Sequence, residues 1–373
     1  MVAPPASARF AGVHLRDVVE SIDVLAEPRR LSEPGWWVLV GEFEGRVRAW
    51  RFAHASARPD GPSDEPSDDA SSEPVIGPWR GPRADDWTSA TTRAEYVAAV
   101  QSVRDHVREG DVYQANLCRV LSAPLGSSHD EPDARALAQV LAAGNPAPFG
   151  GYVHVPRGMT GVDPVWVVTA SPELFLRLED DVLTSAPIKG TAATREGLTP
   201  KDAAENVMIT DLVRNDLQHV CRPGTVEVTT LLGVEEHPGL VHLVSTVQGA
   251  LDPAVARAPD RWAQVLAATY PPGSVSGAPK SSALRVIDEL EAGPRGPYCG
   301  LVGWVHVGDD GRTRAELAVG IRTFWWAGDD EGAGVLRFGT GAGITWGSDP
   351  DAEWDETELK AARLVGLASA PRP

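Results

Sequence analysis

Short apolar segments bounded by turn residues recur along this chain, whereas segments with helical spacing are few and long. Strands that arrive in runs, without regular alternation with helices, favour an α+β fold over a βαβ fold. Two segments, 35–41 and 47–52, alternate about a turn and predict a β-hairpin. Further strands are predicted at 111–121, 164–170, 174–178, 299–306, 315–324 and 335–340, and helices at 92–110, 200–217, 278–291 and 351–365.

The helix predicted from Thr92 has the clearest local signals. Thr92 and Glu95 form a capping-box pattern, and apolar residues follow at helical spacing until Gly110. Before this helix, residues 58–75 are rich in Pro, Ser and Asp and have almost no apolar side chains. Such a segment cannot repay its ordering entropy by burial, so we predict a disordered insertion there.

Composition and charge limit the class of protein. The 373 residues are 42% hydrophobic and 23% charged, as in a globular protein that buries a sizeable core. The net charge of −18 disfavours nucleic acid and anionic membrane surfaces as partners, because both would be repelled. Cys118, Cys221 and Cys299 lie far apart in the sequence and predict neither a disulfide framework nor a zinc site. Without a signal-peptide pattern or a long apolar run, the chain is predicted to be cytoplasmic.

Lysine occurs four times against thirty arginines, at Lys189, Lys201, Lys280 and Lys360. A guanidinium stays charged at any working pH, whereas a lysine amine attacks carbon once it is deprotonated. Lys189, in the run PIKGT, is therefore a candidate nucleophile. The alternative is a codon-biased genome that has left four lysines on the surface.

Two predicted helices carry carboxylates that could bind a metal ion: one lies on an apolar stripe, and two share a face with a lysine. Glu205 shares a face with Ile209, so a stripe expected to pack inward contains an acid. In the last helix, Glu353, Glu356 and Lys360 share one face. Carboxylates on separate helices suit Mg²⁺, which keeps waters and an anionic substrate as its other ligands. The alternatives are an acid paired with an arginine at the edge of the stripe and a solvated, salt-bridged face.

Two Gly-rich segments are candidates for anion binding through backbone N–H groups. The run PPGSVSGAPK at 271–280 leads into a predicted helix, and a helix N-terminus suits a carboxylate or phosphate. It does not match the Walker A pattern, so no nucleotide is predicted. The run GTGAG at 339–343 follows a strand, and a tight turn is the simpler interpretation.

Taken in order, these motifs resemble the chorismate-utilising enzymes, and among them component I of aminodeoxychorismate synthase. The matched runs are GDVYQANL at 110–117, SPEL at 171–174, PIKGT at 187–191, ENVMITDLVRNDL at 205–217, HLVS at 242–245, PPGSVSGAPK at 271–280, RGPYCG at 295–300, IRT at 321–323, GTGAGI at 339–344 and the segment 353–360. The resemblance implies the chorismate-binding fold, an α+β fold in which two antiparallel β-sheets pack face to face with helices outside. It also implies a catalytic region at 91–366, with the poorly matching β-rich segment at 1–90 as part of the same domain.

The resemblance also implies a role for each matched residue. Lys189 matches a nucleophile that adds at C2 of chorismate as the C4 hydroxyl leaves, and Glu173 matches the general acid that protonates this hydroxyl. Ammonia then attacks C4 and expels the lysine, giving 4-amino-4-deoxychorismate, a precursor of p-aminobenzoate for folate or secondary metabolites. The matched ligands of Mg²⁺ are Glu205, Glu356 and Glu353. The residues matched to carboxylate binding and the ring site are His242, Ser274, Lys280, Tyr298, Arg322, Gly341, Ala342, Gly343 and Lys360.

Two positions separate this branch from its relatives. Anthranilate synthase component I usually has Ala where this chain has Lys189, and isochorismate synthases usually have Lys where this chain has Gln114. The expected enzyme is therefore an aminodeoxychorismate synthase, classed with the transaminases. Anthranilate synthase component I, another chorismate-converting enzyme and a non-catalytic chorismate-binding subunit are the alternatives. The runs 192–197 and 345–347 depart from the family pattern and leave fine substrate positioning open.

The sequence contains no glutaminase motif, because none of its three cysteines lies in a Gly-x-Cys-x-Gly elbow. The resemblance implies that ammonia comes from a separate glutamine amidotransferase subunit, with free ammonium as the alternative source. No Leu-Leu-Glu-Ser run of the family's tryptophan pocket is present, so feedback by tryptophan is not expected.

Overall fold

A computed structural model of the chain describes residues 5–57, 76–127, 130–192, 194–237, 240–328 and 332–370. The insertion predicted at 58–75 lies outside the described residues. The strands are β1 Ser7–Phe10, β2 Val13–Asp23, β3 Gly35–Gly41, β4 Val47–Ala57, β5 Thr88–Ser89, β6 Gln114–Ser127, β7 Phe149–Val155, β8 Val165–Ser171, β9 Leu174–Glu179, β10 Val182–Ala186, β11 Ile188–Ala192, β12 Glu227–His237, β13 Leu240–Ala250, β14 Gly277–Ala278, β15 Leu301–Val307, β16 Thr313–Val319, β17 Thr323–Gly328 and β18 Ala333–Ile344. The α-helices are α1 Arg93–Glu109, α2 Ala134–Gly144, α3 Pro200–Gln218, α4 Pro253–Ala256, α5 Arg261–Thr269, α6 Lys280–Leu290 and α7 Pro350–Ala368.

The strands pair antiparallel throughout the described part of the chain and form two halves. The first half has the order β2-β1-β7-β8-β17-β18-β6, with the short β5 and β14 also on β6. The second has the order β4-β3-β15-β16-β9-β10-β13, with β11 and β12 both on β13. A ladder between β2 and β4 joins the halves along one side. The prediction of an α+β fold with two antiparallel sheets is confirmed.

Apolar side chains from both halves fill the space between them. This inner cluster includes Ala8, Phe10, Leu15, Val38, Val40, Trp50, Phe52, Val153, Val167 and Val302. The run Trp37-Val38-Leu39-Val40 of β3 is buried on both faces, because Trp37 and Leu39 belong to a second cluster on the outer side. A strand covered on both faces reads as a continuous apolar run, which explains the density of large side chains in this hairpin.

Helices cover the outer faces of the two halves. Ile209, Val213 and Leu217 of α3 and Trp262 of α5 pack in the outer cluster of the second half. On the first half, α2 and α7 pack against β7, β8, β17 and β18, while α1 and α6 pack against β6 and β18. The two helices with the candidate acids, α3 and α7, therefore belong to different halves. None of the helices between residues 5 and 370 that the structure describes has the length and apolar character of a membrane span.

Local signals predicted some elements correctly and misplaced one. The hairpin at β3 and β4 and the helix α1 are confirmed, with Thr92 accepting a hydrogen bond from the Glu95 amide and Gly110 ending α1 at φ 85°. The single strand predicted at 315–324 is wrong, since β16 and β17 are separated by a break. Arg322 takes φ 51° at this break, and its carbonyl accepts a hydrogen bond from Ala170 at 2.9 Å. A left-handed residue ends the pleat, so the chain passes from the second half to the first.

Candidate active site

Lys189 lies on β11, at an irregular point of its ladder with β13. The register of this ladder shifts between Ile188, opposite Val244, and Thr191, opposite His242. The Lys189 amine lies next to the backbone of Gly343, because a Cβ built there would be 3.3 Å from Nζ. Glycine at 343 thus leaves space for the lysine side chain at the backbone of β18.

Burial lowers the pKa of the Lys189 amine from its ordinary value. The charges of Glu205 and Glu173 oppose this change, Lys360 reinforces it, and Glu356 opposes it again. The electrostatic neighbours of the amine are thus four of the residues proposed from the sequence. A lysine with a lowered pKa contains more of the neutral amine, which is the form that attacks carbon.

Glu173 lies in the turn between β8 and β9, and its side chain is 3% exposed. Burial raises the pKa of its carboxyl to about 7, while hydrogen bonds from the Ser274 hydroxyl and the Ile188 amide and the charge of Lys189 oppose the rise. Its Oε1 atom is buried and has no hydrogen-bond partner among the residues that the structure describes. Near neutral pH, this carboxyl can therefore hold a proton and release it to a leaving group.

Acids of α3 and α7 lie close to the amine: the charges of Glu205 and Glu356 act on it directly, and Glu353 lies beside Glu356. Glu205 is partly buried, and its nearest cation is Lys201, with Nζ 3.7 Å from Oε1. Glu353 is buried, and its pKa is raised by burial and by the charge of Glu356, while a hydrogen bond from Ser348 opposes the rise. The shared face predicted for α7 is thus partly buried, at Glu353, and not wholly solvated.

Lys360 joins α7 to the Gly-rich end of β18. Its Nζ atom lies 2.6 Å from Glu356 Oε1 and donates to the carbonyl of Gly341 at 3.1 Å. About half of each of these two side chains is exposed, so the ion pair can open to an incoming anion.

The tight turn suggested for the Gly-rich run on β18 is wrong. Gly341, Ala342 and Gly343 lie inside β18 and pair with Cys118, Leu117 and Asn116 of β6. The ladder with β17 ends at Phe338, so in the described residues this part of β18 is paired on one side only. An extended strand with one free side can present backbone N–H groups to a ligand. Anion binding through such groups is the role predicted for this run from the sequence.

The two residues expected to line the ring site are both buried. His242 Nδ1 lies 2.8 Å from Thr191 Oγ1, which fixes the imidazole against β11. Ser274 is 6% exposed and bonds to Glu173 as described above. His242 thus contacts β11 two residues from Lys189, and Ser274 contacts the carboxyl of Glu173.

Lys280 and Arg322, both expected to hold carboxylates, have different surroundings. Lys280 Nζ donates to Asp216 Oδ2 at 2.6 Å and to the carbonyl of Thr269 at 2.9 Å, so its charge is already paired. Lys280 therefore ties the start of α6 to α3 and α5. Arg322 is partly buried, its pKa is lowered by burial and by the charge of Arg363, and its guanidinium has no hydrogen bond or ion pair to any described residue. It is thus the better prepared of the two to bind an anion.

Tyr298 is buried, with its ring against the backbone of Gly339, where a Cβ would collide with the ring. Burial raises the pKa of its phenol well above the ordinary value. The neighbouring Cys299 and Cys118 raise this pKa further, by a smaller amount. The tyrosine therefore remains a neutral hydrogen-bond donor over the working pH range. The three cysteines are free, and Cys118 Sγ lies 3.9 Å from Cys299 Sγ.

Sequence reasoning did not include Gln114 and Asn206 among the site residues. Gln114 is 1% exposed, and its Oε1 atom has no hydrogen-bond partner in the described part of the chain. Its Nε2 atom lies beside Gly343, as does the Lys189 amine. Asn206 is fully buried and donates to the carbonyl of Leu243 at 2.9 Å, which fixes α3 to the strand of His242. The signal available for Asn206 was a polar amide beside Glu205, and the signal for Gln114 was its place as one of the two positions that separate the branches.

The chain resembles several known proteins along most of its length. The family model described as chorismate binding enzyme matches residues 16–366. Anthranilate synthase component 1 from Haloarcula marismortui is 35% identical over 341 residues, 88% of this chain and 61% of the relative. Aminodeoxychorismate synthase component 1 from Klebsiella aerogenes is 34% identical over 75% of this chain and 59% of the relative. The enzyme 2-amino-4-deoxychorismate synthase from Streptomyces globisporus is 35% identical over 76% of this chain and 55% of the relative.

The fold has solved counterparts as well. Anthranilate synthase component I from Streptococcus pneumoniae matches with a TM-score of 0.74 and 21% identity, covering 98% of this chain and 93% of the other. The menaquinone-specific isochorismate synthase from Escherichia coli matches with a TM-score of 0.72 and 18% identity, covering 98% and 89%. The chain spans 61%, 59% and 55% of the lengths of the three curated relatives above. With 35% identity over 88% of the chain and a family model that covers residues 16–366, the chain belongs to the family of chorismate binding enzymes.

Proposed function

We propose that the protein converts chorismate and ammonia to 4-amino-4-deoxychorismate by way of a covalent adduct on Lys189. The observation that carries this proposal is a lysine amine with a lowered pKa beside a buried Glu173 carboxyl whose pKa is raised to about 7. The lowered pKa increases the neutral fraction of the amine and the raised pKa keeps a proton on Glu173 up to about neutral pH, so both changes favour the forms that a nucleophile and a general acid need.

The first step forms one bond and breaks one. The neutral Lys189 amine attacks C2 of chorismate, the ring double bonds shift, and the C4 hydroxyl leaves as water with the proton of Glu173. Glu173 is left as a carboxylate. In the second step ammonia attacks C4, the double bonds shift back, and the C2–Nζ bond breaks, which returns Lys189 as a neutral amine. The ammonium formed at C4 then releases a proton, which restores the Glu173 carboxyl. Direct attack of ammonia on C2 would instead leave nitrogen at C2, so the lysine directs nitrogen to C4.

The carboxylates of chorismate need cationic and neutral donors in this arrangement. Arg322 is suited by a guanidinium that has no partner among the described residues, Lys360 by its half-exposed ion pair, and Tyr298 by its un-ionised phenol. His242 and Ser274 would line the ring. We assign Lys280 an indirect part, because Asp216 already neutralises its charge.

We propose that the acids of α3 and α7 hold a Mg²⁺ ion. Their oxygen donors are those Mg²⁺ prefers, and the charge of Glu356 raises the pKa of Glu353, so an added cation would relieve their repulsion. Glu205 and Glu356 would hold the ion, with Glu353 beside them. When bound, Mg²⁺ supplies positive charge for a carboxylate of the substrate.

Ammonia would come from a separate glutamine amidotransferase subunit. Two of the relatives above are named as a first component, and the sequence has no glutaminase elbow. Full activity on ammonium alone, together with no association with any glutaminase, would contradict this partner.

The experiment that tests the proposal identifies the product. Wild type, Lys189→Ala and Lys189→Arg are incubated with chorismate, Mg²⁺ and ammonium, and products are resolved by mass and by coupling to an aminodeoxychorismate lyase. We expect p-aminobenzoate from wild type only when the lyase is present. Lys189→Arg keeps a cation but no nucleophile, so it should lose this product as completely as Lys189→Ala does. Anthranilate from wild type would instead favour the activity for which the Haloarcula relative is named.

A further inference from the structure

The turn between β3 and β4 contacts a segment some 250 residues later in the chain. The Glu44 carboxylate accepts hydrogen bonds from two successive amides, Arg295 N at 2.6 Å and Gly296 N at 3.2 Å. The amide of Phe43 donates to the carbonyl of Gly296 at 2.8 Å. Three hydrogen bonds therefore fix the backbone of two residues from one hairpin tip.

The residue held in this way, Arg295, is itself a buried hub. Its guanidinium is 1% exposed and makes a bidentate pair with Glu291, with distances of 2.8 and 2.6 Å. It also donates to the carbonyl of Val275 at 2.9 Å and to that of Asn116 at 2.6 Å. Val275 follows Ser274, and Asn116 lies two residues after Gln114. The hub therefore joins the segment fixed by Glu44 to the loop and the strand that contain two residues of the site.

Tyr298 follows Arg295 by three residues and has little freedom of its own. The amide of Cys299 donates to the carbonyl of Gly320 at 3.0 Å, which fixes the chain just after the tyrosine. Glu44 fixes it just before, at Gly296. The ring of Tyr298 fills the space in front of Gly339, so a shift of its backbone would move the phenol along β18.

We propose that Glu44 is a positioning residue for Tyr298, acting through the backbone of Arg295 and Gly296. The inference rests on the proposed function in one respect, that Tyr298 donates to a carboxylate of chorismate. It adds that the N-terminal hairpin, outside the segments whose motifs resemble the family, tunes the binding of substrate.

The variant Glu44→Ala tests this inference, because Glu44 is exposed on its outer side and its loss should not unfold the protein. A complete hydrogen bond to a charged group is worth about 10- to 100-fold in affinity, and a displaced one loses part of that. We expect KM for chorismate to rise about 3- to 10-fold with kcat within about twofold of wild type. Glu44→Gln keeps one acceptor oxygen, so its KM for chorismate should lie between the values of wild type and Glu44→Ala.

The matched control is Glu42→Ala, which removes an acid of the same turn. The Glu42 carboxylate pairs with Arg48 at 3.4 Å inside the hairpin and has no hydrogen bond to Arg295 or Gly296. It should leave KM at the wild-type value. A rise in KM for Glu44→Ala no larger than that for Glu42→Ala would overturn the inference.

Two further readouts separate a positioning role from a general loss of stability. In a Tyr298→Phe background, adding Glu44→Ala should raise KM by less than twofold, since the phenol that Glu44 positions is gone. An undiminished rise there would show that Glu44 acts elsewhere. Amide hydrogen exchange over 295–300 should be faster in Glu44→Ala than in Glu42→Ala. If wild type does not consume chorismate, the proposed function fails, while the exchange rates still decide whether Glu44 holds this segment.

Discussion

The substitution Glu173→Gln isolates the cost of a buried carboxylate in this site. Burial raises the Glu173 pKa from an ordinary 4.5 to about 7, and the side chain is 3% exposed, so solvent screens the charge little. At 1.36 kcal/mol for each tenfold change in a proton equilibrium, the difference of about 2.5 in pKa corresponds to about 3 kcal/mol. The folded protein therefore binds this proton more tightly than the unfolded chain by about 3 kcal/mol.

The sign of the pH dependence follows from that difference. Below about pH 4.5 the carboxyl is protonated in both states, and ionisation costs nothing. As the pH rises from 4.5 to about 7, the unfolded chain loses the proton first, so folding becomes less favourable by up to about 3 kcal/mol. Above pH 7 the cost is constant. Glutamine cannot ionise, so the advantage of the variant over wild type should grow by about 3 kcal/mol between pH 4.5 and pH 8.

Urea unfolding of both proteins across this range measures the change. The change in the difference between the two free energies is the informative quantity, because it cancels the constant cost of altered hydrogen bonds at Ser274 and Ile188. Glu179→Gln, an exposed acid at the end of the same strand β9, is the control and should show no such growth. A difference between Glu173→Gln and wild type that stays constant with pH would refute the reasoning.

Three further outcomes are expected. Arg322→Met should raise KM for chorismate about 10- to 100-fold with little change in thermal stability, because the guanidinium has no hydrogen-bond or ion-pair partner among the described residues; steady-state chorismate consumption measures it. Lys280→Met should lower the free energy of unfolding in urea by about 3 kcal/mol by leaving Asp216 buried and unpaired. Lys280→Met with Asp216→Leu should recover most of that loss, and a large change in KM without a loss of stability would contradict the anchoring role. Glu205→Gln should raise the Mg²⁺ concentration for half-maximal activity by at least about tenfold, as read from a Mg²⁺ titration, whereas an unchanged titration would remove Glu205 from the metal site.

The sequence predicted elements with local causes well. The capping box of Thr92 and Glu95 and the left-handed Gly110 define α1 without help from the rest of the chain. The strand predicted at 315–324 failed because its break depends on Arg322, a residue type that local rules do not place at φ 51°. Tertiary packing sets that conformation, since the carbonyl of Arg322 is bound to Ala170 on a distant strand.

In the candidate site, too, some features follow from local sequence motifs and others depend on tertiary packing. The clustering of Glu173, Glu205, Glu356 and Lys360 about Lys189 agrees with what the motifs implied. The pairing of Lys280 with Asp216 could not be foreseen, because it joins residues 64 positions apart on two helices. The Gly-rich run could be interpreted as a turn for a similar reason, since only its ladder with β6 makes it a strand.

The long separation between Lys189 and α7 along the chain has a consequence for the order in which the site is assembled. α7 packs against α2 and β18 of the first half, whereas Lys189 belongs to the second half and is followed by some 160 residues before Glu353. Contacts over such separations close late, because loop-closure entropy is lost before they stabilise the chain. The charge environment of Lys189 is therefore completed only after both halves have joined, and a nascent or partly folded chain has Lys189 with Glu205 of its own half but without Glu356 and Lys360 of α7. The docking of α7 thus adds the last of these charges during folding.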